Sequence, residues 1–342
     1  MTNEQVAVGA QGVRLDPYCS LTPRLVGITD ANALLSSVEN DCRKDFRSRL
    51  LRMTDFGTAV LYAPDHVYDE VYRHLPKIAK SSPVPLSVLR AHFEEYYLPI
   101  LRFVTVSDAD DPDPQVLAIT DPDDVPTGRL AKLIAPCVVF SEDKHLRKPG
   151  FAPPDWRKAA ASAVDLADGV RKGNVAGNLV ISPGWALTAL VRFVGRQLGV
   201  SPWLVGGLVA AGATLLVANV DRRTRLGQVF EQYGVPVLVS LLTEIEGARL
   251  KEQAGIAELR EVMLAVPSEP SVKQQVVIVL ARQSEPLLAA EVQALIANYF
   301  AADIVPTVAD VRAVLRGNSE FVQCQRYRWE LGRYAAPLRG EI

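Results

Sequence analysis

The sequence predicts a multidomain α/β protein: a parallel sheet with helices on its faces comes first, and helical modules follow. Three observations carry that expectation. Between Arg24 and Phe151, short β-branched or apolar runs alternate with segments of helical periodicity, the pattern of a sheet wound with crossover helices. Acidic residues stand just past strands or at helix starts, so they fall at the carboxyl edge of such a sheet, where these folds bind ligands. Beyond Phe151 the composition changes, and two long stretches, Gly173 to Val191 and Gln197 to Val220, carry no charge at all.

At 342 residues the chain is longer than one compact domain needs, and its apolar and charged fractions are those of a globular protein. A formal charge of −2 excludes a wholesale polycation, so any nucleic-acid contact must come from local basic patches. The cysteines, Cys19, Cys42, Cys137 and Cys324, lie far apart without metal-ligand spacing; they read as packed thiols in a reducing compartment. Met1 to Val13 lacks the basic and apolar regions of a secretory leader, so the expected location is the cytoplasm.

Met1 to Pro23 reads as an arm with turn signals at Asp16-Pro17 and Thr22-Pro23. Arg24 to Thr29 is the first strand and delivers Asp30. Helical spacing runs from Ala31 to Arg52 through Leu34, Leu35, Val38, Phe46 and Leu50. Thr58 to Tyr62 is the next strand, followed by a helix over Asp65 to Ile78 that contains Glu70. Leu86 to Leu98 is helical in pattern and Leu101 to Val106 returns to strand. An acidic cluster, Asp121, Asp123 and Asp124, opens a helix with Leu130, Leu133 and Ile134, and Cys137 to Phe140 is a late strand ending near Asp143. Carboxylates gathered at one sheet edge repel one another unless a cation joins them, and Mg²⁺ or Mn²⁺ is the natural partner of an all-oxygen set. Each acid also has a plainer reading. Asp30 or Asp124 could cap a helix, Glu70 could be a solvated helix residue, and Asp108, Asp110, Asp111 and Asp113 form a Pro-punctuated loop that reads as solvated. His66, His74 and His145 show no helical or metal-type spacing to one another and are assigned no ligand role.

ITDANALL at Ile28 to Leu35, VYDEV at Val67 to Val71, DPDDVPTGRLAKL at Asp121 to Leu133 and VVFSEDKHL at Val138 to Leu146 together resemble a PIN domain, over about residues 24–151. The resemblance implies a Rossmann-like sheet, a metal-dependent ribonuclease using Mg²⁺ or Mn²⁺, and RNA as substrate. Because the family includes toxins of toxin–antitoxin pairs, it also implies an antitoxin as a partner. Carried over residue by residue, Asp30, Glu70, Asp124 and Asp143 are the catalytic and metal-binding acids. Ser141 and Asn32 are supporting polar groups, with Asp121 and Asp123 beside the third acid. Pro126 and Gly128 interrupt a helix that is cleaner in the family, which leaves the third acid open by a few residues.

Pro153-Pro154 marks a boundary, and Trp156 to Lys172 reads as an alanine-rich helix. Over residues 152–220 the uncharged stretches, each with a Ser-Pro start signal (Ser182-Pro183 and Ser201-Pro202), read as a hydrophobic helical hairpin. Two settings stay open: association with a membrane, favoured by Arg171, Lys172, Arg222, Arg223 and Arg225 at its ends and opposed by Arg192 and Arg196 in the connection, or a soluble hairpin in a core or homo-oligomer contact. Residues 221–268 read as a helical connector.

From Ser271, helices over Val272 to Ala281, Ala289 to Ala297 and Thr307 to Arg316 precede two short strands between Phe321 and Leu331. This order, over residues 269–336, resembles a winged helix-turn-helix domain. The resemblance implies nucleic-acid contact by Arg312 and Arg316, i and i+4 on the third helix, and by Arg326 and Arg328 on the wing. Glu320, Glu330 and Asp310 dilute that patch and keep a protein-binding wing open. The function expected is metal-dependent hydrolysis of RNA. The alternatives are a non-catalytic regulator that binds nucleic acid or a partner through the same modules, and a membrane-tethered assembly factor.

Overall fold

The computed structural model describes residues 25–44, 46–107, 113–181, 235–300 and 305–335. The chain forms two compact units: Met1–Ala167 with Ala254–Ile342, and Asp168–Gln253 between them.

In the first unit, strands β1 (Leu25–Thr29), β2 (Ala59–Pro64), β3 (Leu101–Val104) and β4 (Val138–Phe140) are parallel, in the spatial order β4-β1-β2-β3. A fifth strand, β8 (Arg333–Tyr334), pairs antiparallel with β3. The sheet is therefore mixed, a correction to the all-parallel expectation. An antiparallel edge on a parallel sheet is a common way to cover the last ladder of backbone groups.

Side chains alternate between the two faces of each strand. Val26, Ile28, Tyr62, Val104 and Val139 share one core with helix α6 (Val125–Ile134) and helix α10 (Val272–Ala281). On the other face Tyr68, from α3 (Asp65–Ser81), packs edge-on against Phe103. There Gly27 leaves room for Phe140, whose ring would lie 2.6 Å from any Cβ at that position. Helices α1 (Ala31–Lys44) and α4 (Leu86–His92) pack beside α3. The single helix expected over 31–52 is two: Ser48 accepts from the Leu51 N–H at 3.3 Å and starts α2 (Arg49–Met53). The helix expected to Leu98 passes after His92 into a π turn at Phe93–Tyr97. Helix α5 (Pro114–Leu117) is short, capped by Asp113, and α7 (Lys144–Arg147) follows β4.

Helix α10 is buried from Gln275 to Ala281, as an apolar stretch without a polar face must be. Ser271 and Gln274 form a reciprocal capping box at its start. It is followed by β5 (Leu287–Leu288), α11 (Ala289–Tyr299), α12 (Val308–Gly317), β6 (Phe321–Gln325) and β7 (Arg328–Leu331), with sheet order β5-β7-β6. Val292, Ile296, Val311, Leu315 and Leu331 belong to the same core as the sheet face under α6. Two buried arginines supply donors at this junction. Arg282 donates to the carbonyls of Ile278 and Pro136 at 2.9 and 2.7 Å, and Arg102 of β3 to those of Gln283 and Ser284 and to the Tyr334 hydroxyl.

Helix α8 (Trp156–Ile181) is longer than expected, and α9 (Val235–Val262) returns beside it. In the first unit the two are antiparallel: Glu258 accepts from Ser162 and pairs with Lys158 at 3.8 Å, and Gly255 approaches the Ser162 carbonyl. Within the second unit, Gly169 fits against Ala248 and Glu252, where a Cβ would stand 2.6 Å from the Glu252 Cβ. Most of the expected hydrophobic hairpin falls on 182–234, outside the described residues. Among the described residues no helix is long and apolar enough to cross a membrane.

Candidate active site

The sheet reverses its winding between β1 and β4, and the crevice outside the carboxyl ends of those two strands is where an open α/β sheet binds ligands. Thr29 and Phe140 are register partners, so the next residues, Asp30 and Ser141, emerge side by side. Asp30 is 5% exposed and Ser141 fully buried. One carboxylate oxygen of Asp30 accepts the Ala33 N–H at 2.7 Å, which caps α1, and the other accepts the Ser141 hydroxyl. Ser141 Oγ also accepts the Asp143 N–H at 2.9 Å. One hydroxyl thus ties the carboxylate after β1 to the backbone of the acid after β4. Asp143 caps α7 through the His145 N–H at 2.7 Å.

Asp124 arrives from a third direction. Asp121 accepts the Asp123 N–H at 3.0 Å and opens a 3₁₀ turn, Pro122–Asp124, that leads into α6. Pro126 lies in the first turn of α6, where its missing N–H costs nothing, and Gly128 is buried where a Cβ would overlap Ile119. Both residues that interrupt the sequence pattern have local steric reasons. Asp124 makes no capping hydrogen bond, which removes the capping alternative for it, and its Oδ2 is buried without a hydrogen-bond partner. Glu70, half-buried on α3, closes the set from the opposite helix.

The four acids act on one another. Burial pushes the Asp30 carboxyl up to about 7 against the Ser141 and Ala33 hydrogen bonds, and the charges of Glu70 and Asp143 add to the rise. Asp124 is also pushed up to about 7, by burial first and then by Asp143, Asp121, Asp30 and Glu70. Asp30 and Asp124 therefore each stand within electrostatic reach of Glu70 and Asp143, and Asp124 within reach of Asp30. The four do not form a closed cage: among the described residues no three His, Cys, Asp or Glu side chains are placed to hold an ion between them. Asp123 is exposed and acts with Glu70 on His66, whose proton affinity burial lowers.

A cleft of ≈ 600 Å³ opens beside the acids, and Asp121, Asp143 and the exposed Asn32 line it. Its walls also carry His74, Lys77, Lys144, His145 and Arg147, which the sequence reading left unused. One signal was available: His66, Glu70, His74 and Lys77 fall at i, i+4, i+8 and i+11, one face of α3. Arg312, Arg316 and Arg326 are exposed, whereas Arg328 donates to the Pro286 carbonyl at 2.8 Å and pairs with Glu291 at 3.3 Å. The guanidinium of Arg328 braces the wing against α11. Of the described cysteines, Cys137 is buried, Cys42 half-buried and Cys324 exposed, all as free thiols. No family model, curated protein or solved structure matches the chain.

Proposed function

We propose that the chain is a metal-dependent endoribonuclease of the PIN type, with Asp30, Glu70, Asp124 and Asp143 holding Mg²⁺ or Mn²⁺. What supports this reading is the electrostatic influence that Asp143, Asp121, Asp30 and Glu70, from separate elements, exert on Asp124, whose Oδ2 is left buried and unbonded beside the switch point of the sheet. That donor set is all oxygen, partly buried and short of one partner, and it fits a hard divalent cation. When bound, such an ion supplies an activated water and neutralises charge on a phosphodiester. The chain's own residues then have separate tasks. Ser141 fixes the rotamer of Asp30 and the backbone at Asp143. Lys77, Lys144 and Arg147 offer N–H donors to phosphate oxygens from the cleft wall, and Asn32 offers a neutral amide beside them. Single-stranded or looped RNA is the favoured substrate because its bases are accessible. A toxin-type or defence role, with an antitoxin partner, goes with the family resemblance.

The test is RNA cleavage by the full chain with Mn²⁺, compared with Asp30→Asn. Loss of cleavage in the variant with its fold retained supports the reading; undiminished cleavage assigns the activity elsewhere.

A second reading rests on the order helix-strand-helix-helix-strand-strand from α10 to β7, with sheet order β5-β7-β6. That order supports a winged helix, and the exposed Arg312, Arg316 and Arg326 give it a surface for phosphates. On this reading the protein binds nucleic acid as a regulator without cutting it. Mn²⁺-independent binding with no cleavage under any metal favours it.

A further inference from the structure

A second cleft of ≈ 590 Å³ shares two wall residues, Lys144 and Arg147, with the cleft beside the carboxylates. Helix α7 is thus a ridge between two adjoining depressions, and Lys148 extends its basic side into the second. The charge balance on the two sides is unequal. Of the acids lining the first cleft, Glu39 is paired with Arg43 at 3.6 Å, and Glu142 is bound by Arg157 and by the Trp156 indole N–H at 2.9 Å. That leaves Asp121 and Asp143, which belong to the proposed metal site. By contrast, Lys77, Lys144, Arg147 and Lys148 form no ion pair among the described residues. Among the described residues, Glu261 is the single acid lining the second cleft.

The second cleft also has an apolar side, made by Ala152, Pro153, Pro154 and Met263. Gly150 also lines it, and its φ of +84° would strain any residue with a side chain. A groove with unneutralised cations on one wall and small or apolar groups on the other matches a strand with a charged backbone and apolar base faces. A purely ionic polymer has no use for the apolar wall.

We propose that single-stranded RNA runs from the carboxylates across α7 into the second cleft, with Lys144 and Arg147 on the crossing and Lys148 beyond it. The proposal rests on the ribonuclease reading and names the path its substrate takes. It makes affinity depend on length, because a short RNA fills only the first cleft and a longer one also engages Lys148.

The experiment is fluorescence anisotropy of labelled oligouridylates, one of four and one of twelve residues, with the full chain in EDTA over a range of salt. The variants are Lys148→Gln and Arg147→Gln. For the longer RNA, each substitution weakens binding several-fold and lowers the slope of log affinity against log salt by about 0.7, one single-strand phosphate contact each. For the four-residue RNA, Lys148→Gln changes neither. Unchanged binding of the longer RNA in either variant, or equal loss for both lengths in Lys148→Gln, overturns the tract. Cleavage of the four-residue RNA with Mn²⁺ is read in parallel on wild type and Asp30→Asn. Its retention in Asp30→Asn overturns the nuclease reading whatever the tract does, and cleavage unchanged by Lys148→Gln shows that the active site itself is intact.

Discussion

Asp30→Asn should make the metal-free protein more stable while removing its response to metal. Asp30 is 5% exposed, and its carboxyl is pushed from the ordinary value near 3.8 up to about 7. Between those two values the native state binds a proton that the unfolded chain has released, so stability falls as pH rises through this window and stays low above it. Ionising Asp30 in the folded protein costs about 4 kcal/mol, at about 1.4 kcal/mol per pH unit. Asparagine avoids that cost but offers one acceptor where Asp30 uses two oxygens, for Ala33 and Ser141, a loss of about 1 kcal/mol. The net gain at about pH 8 is therefore about 3 kcal/mol. For a protein of this size, unfolding with an entropy of about 2.1 cal/mol/K per residue, that raises Tm by about 4 °C. Thermal unfolding in EDTA at about pH 5 and pH 8 reads it: the two proteins converge at low pH and separate at high pH. Adding Mn²⁺ at high pH should raise the wild-type Tm and leave that of the variant in place. An Asp30→Asn protein that melts at or below wild type at about pH 8 in EDTA refutes the reasoning, because the acid would then be stabilised by its surroundings rather than opposed by them.

Ser141→Ala leaves Asp30 Oδ2 without its hydroxyl donor and the Asp143 N–H without an acceptor; it should cost about 1–3 kcal/mol in urea unfolding and slow RNA cleavage. Gly332 has a φ of +67° and would place a Cβ 2.6 Å from the Phe103 carbonyl, so Gly332→Ala should cost about 1–3 kcal/mol. Amide exchange should then quicken where β8 pairs with β3, and unchanged exchange there counts against that strand. Arg312→Ala with Arg316→Ala should lower the salt slope of duplex DNA binding by about 1.8. Arg328→Ala should instead lower stability, because its partners are Pro286 and Glu291; an unchanged slope in the double variant removes helix α12 from nucleic-acid contact.

The elements read most accurately from sequence are those whose signals are local. Val272–Ala281 was legible because Ser271 and Gln274 box its start and an unbroken apolar run follows. The break at Ser48 was not, since Leu34, Leu35, Phe46 and Leu50 keep near-helical spacing across two helices. β8 is two polar residues whose only strand-forming influence is β3, more than two hundred residues earlier, and no window of sequence contains both. Within the candidate site, the positions of Asp30 and Asp143 followed from where β1 and β4 end. The Ser141 hydroxyl between them and the unbonded Asp124 oxygen are products of packing and have no periodic trace. The cations of the cleft were missed for another reason: Lys144, Arg147 and Lys148 look like any solvated basic run until the fold sets them between two depressions.

The central claim is that Asp30, Glu70, Asp124 and Asp143 share one divalent cation, and diffraction from crystals soaked in Mn²⁺ tests it most directly. The account predicts a single strong anomalous peak at the carboxyl ends of β1 and β4, about 2.0–2.4 Å from oxygens of Asp124 and at least two of the other three acids. A site that stays empty at saturating Mn²⁺, or a peak ligated by none of these carboxylates, contradicts it.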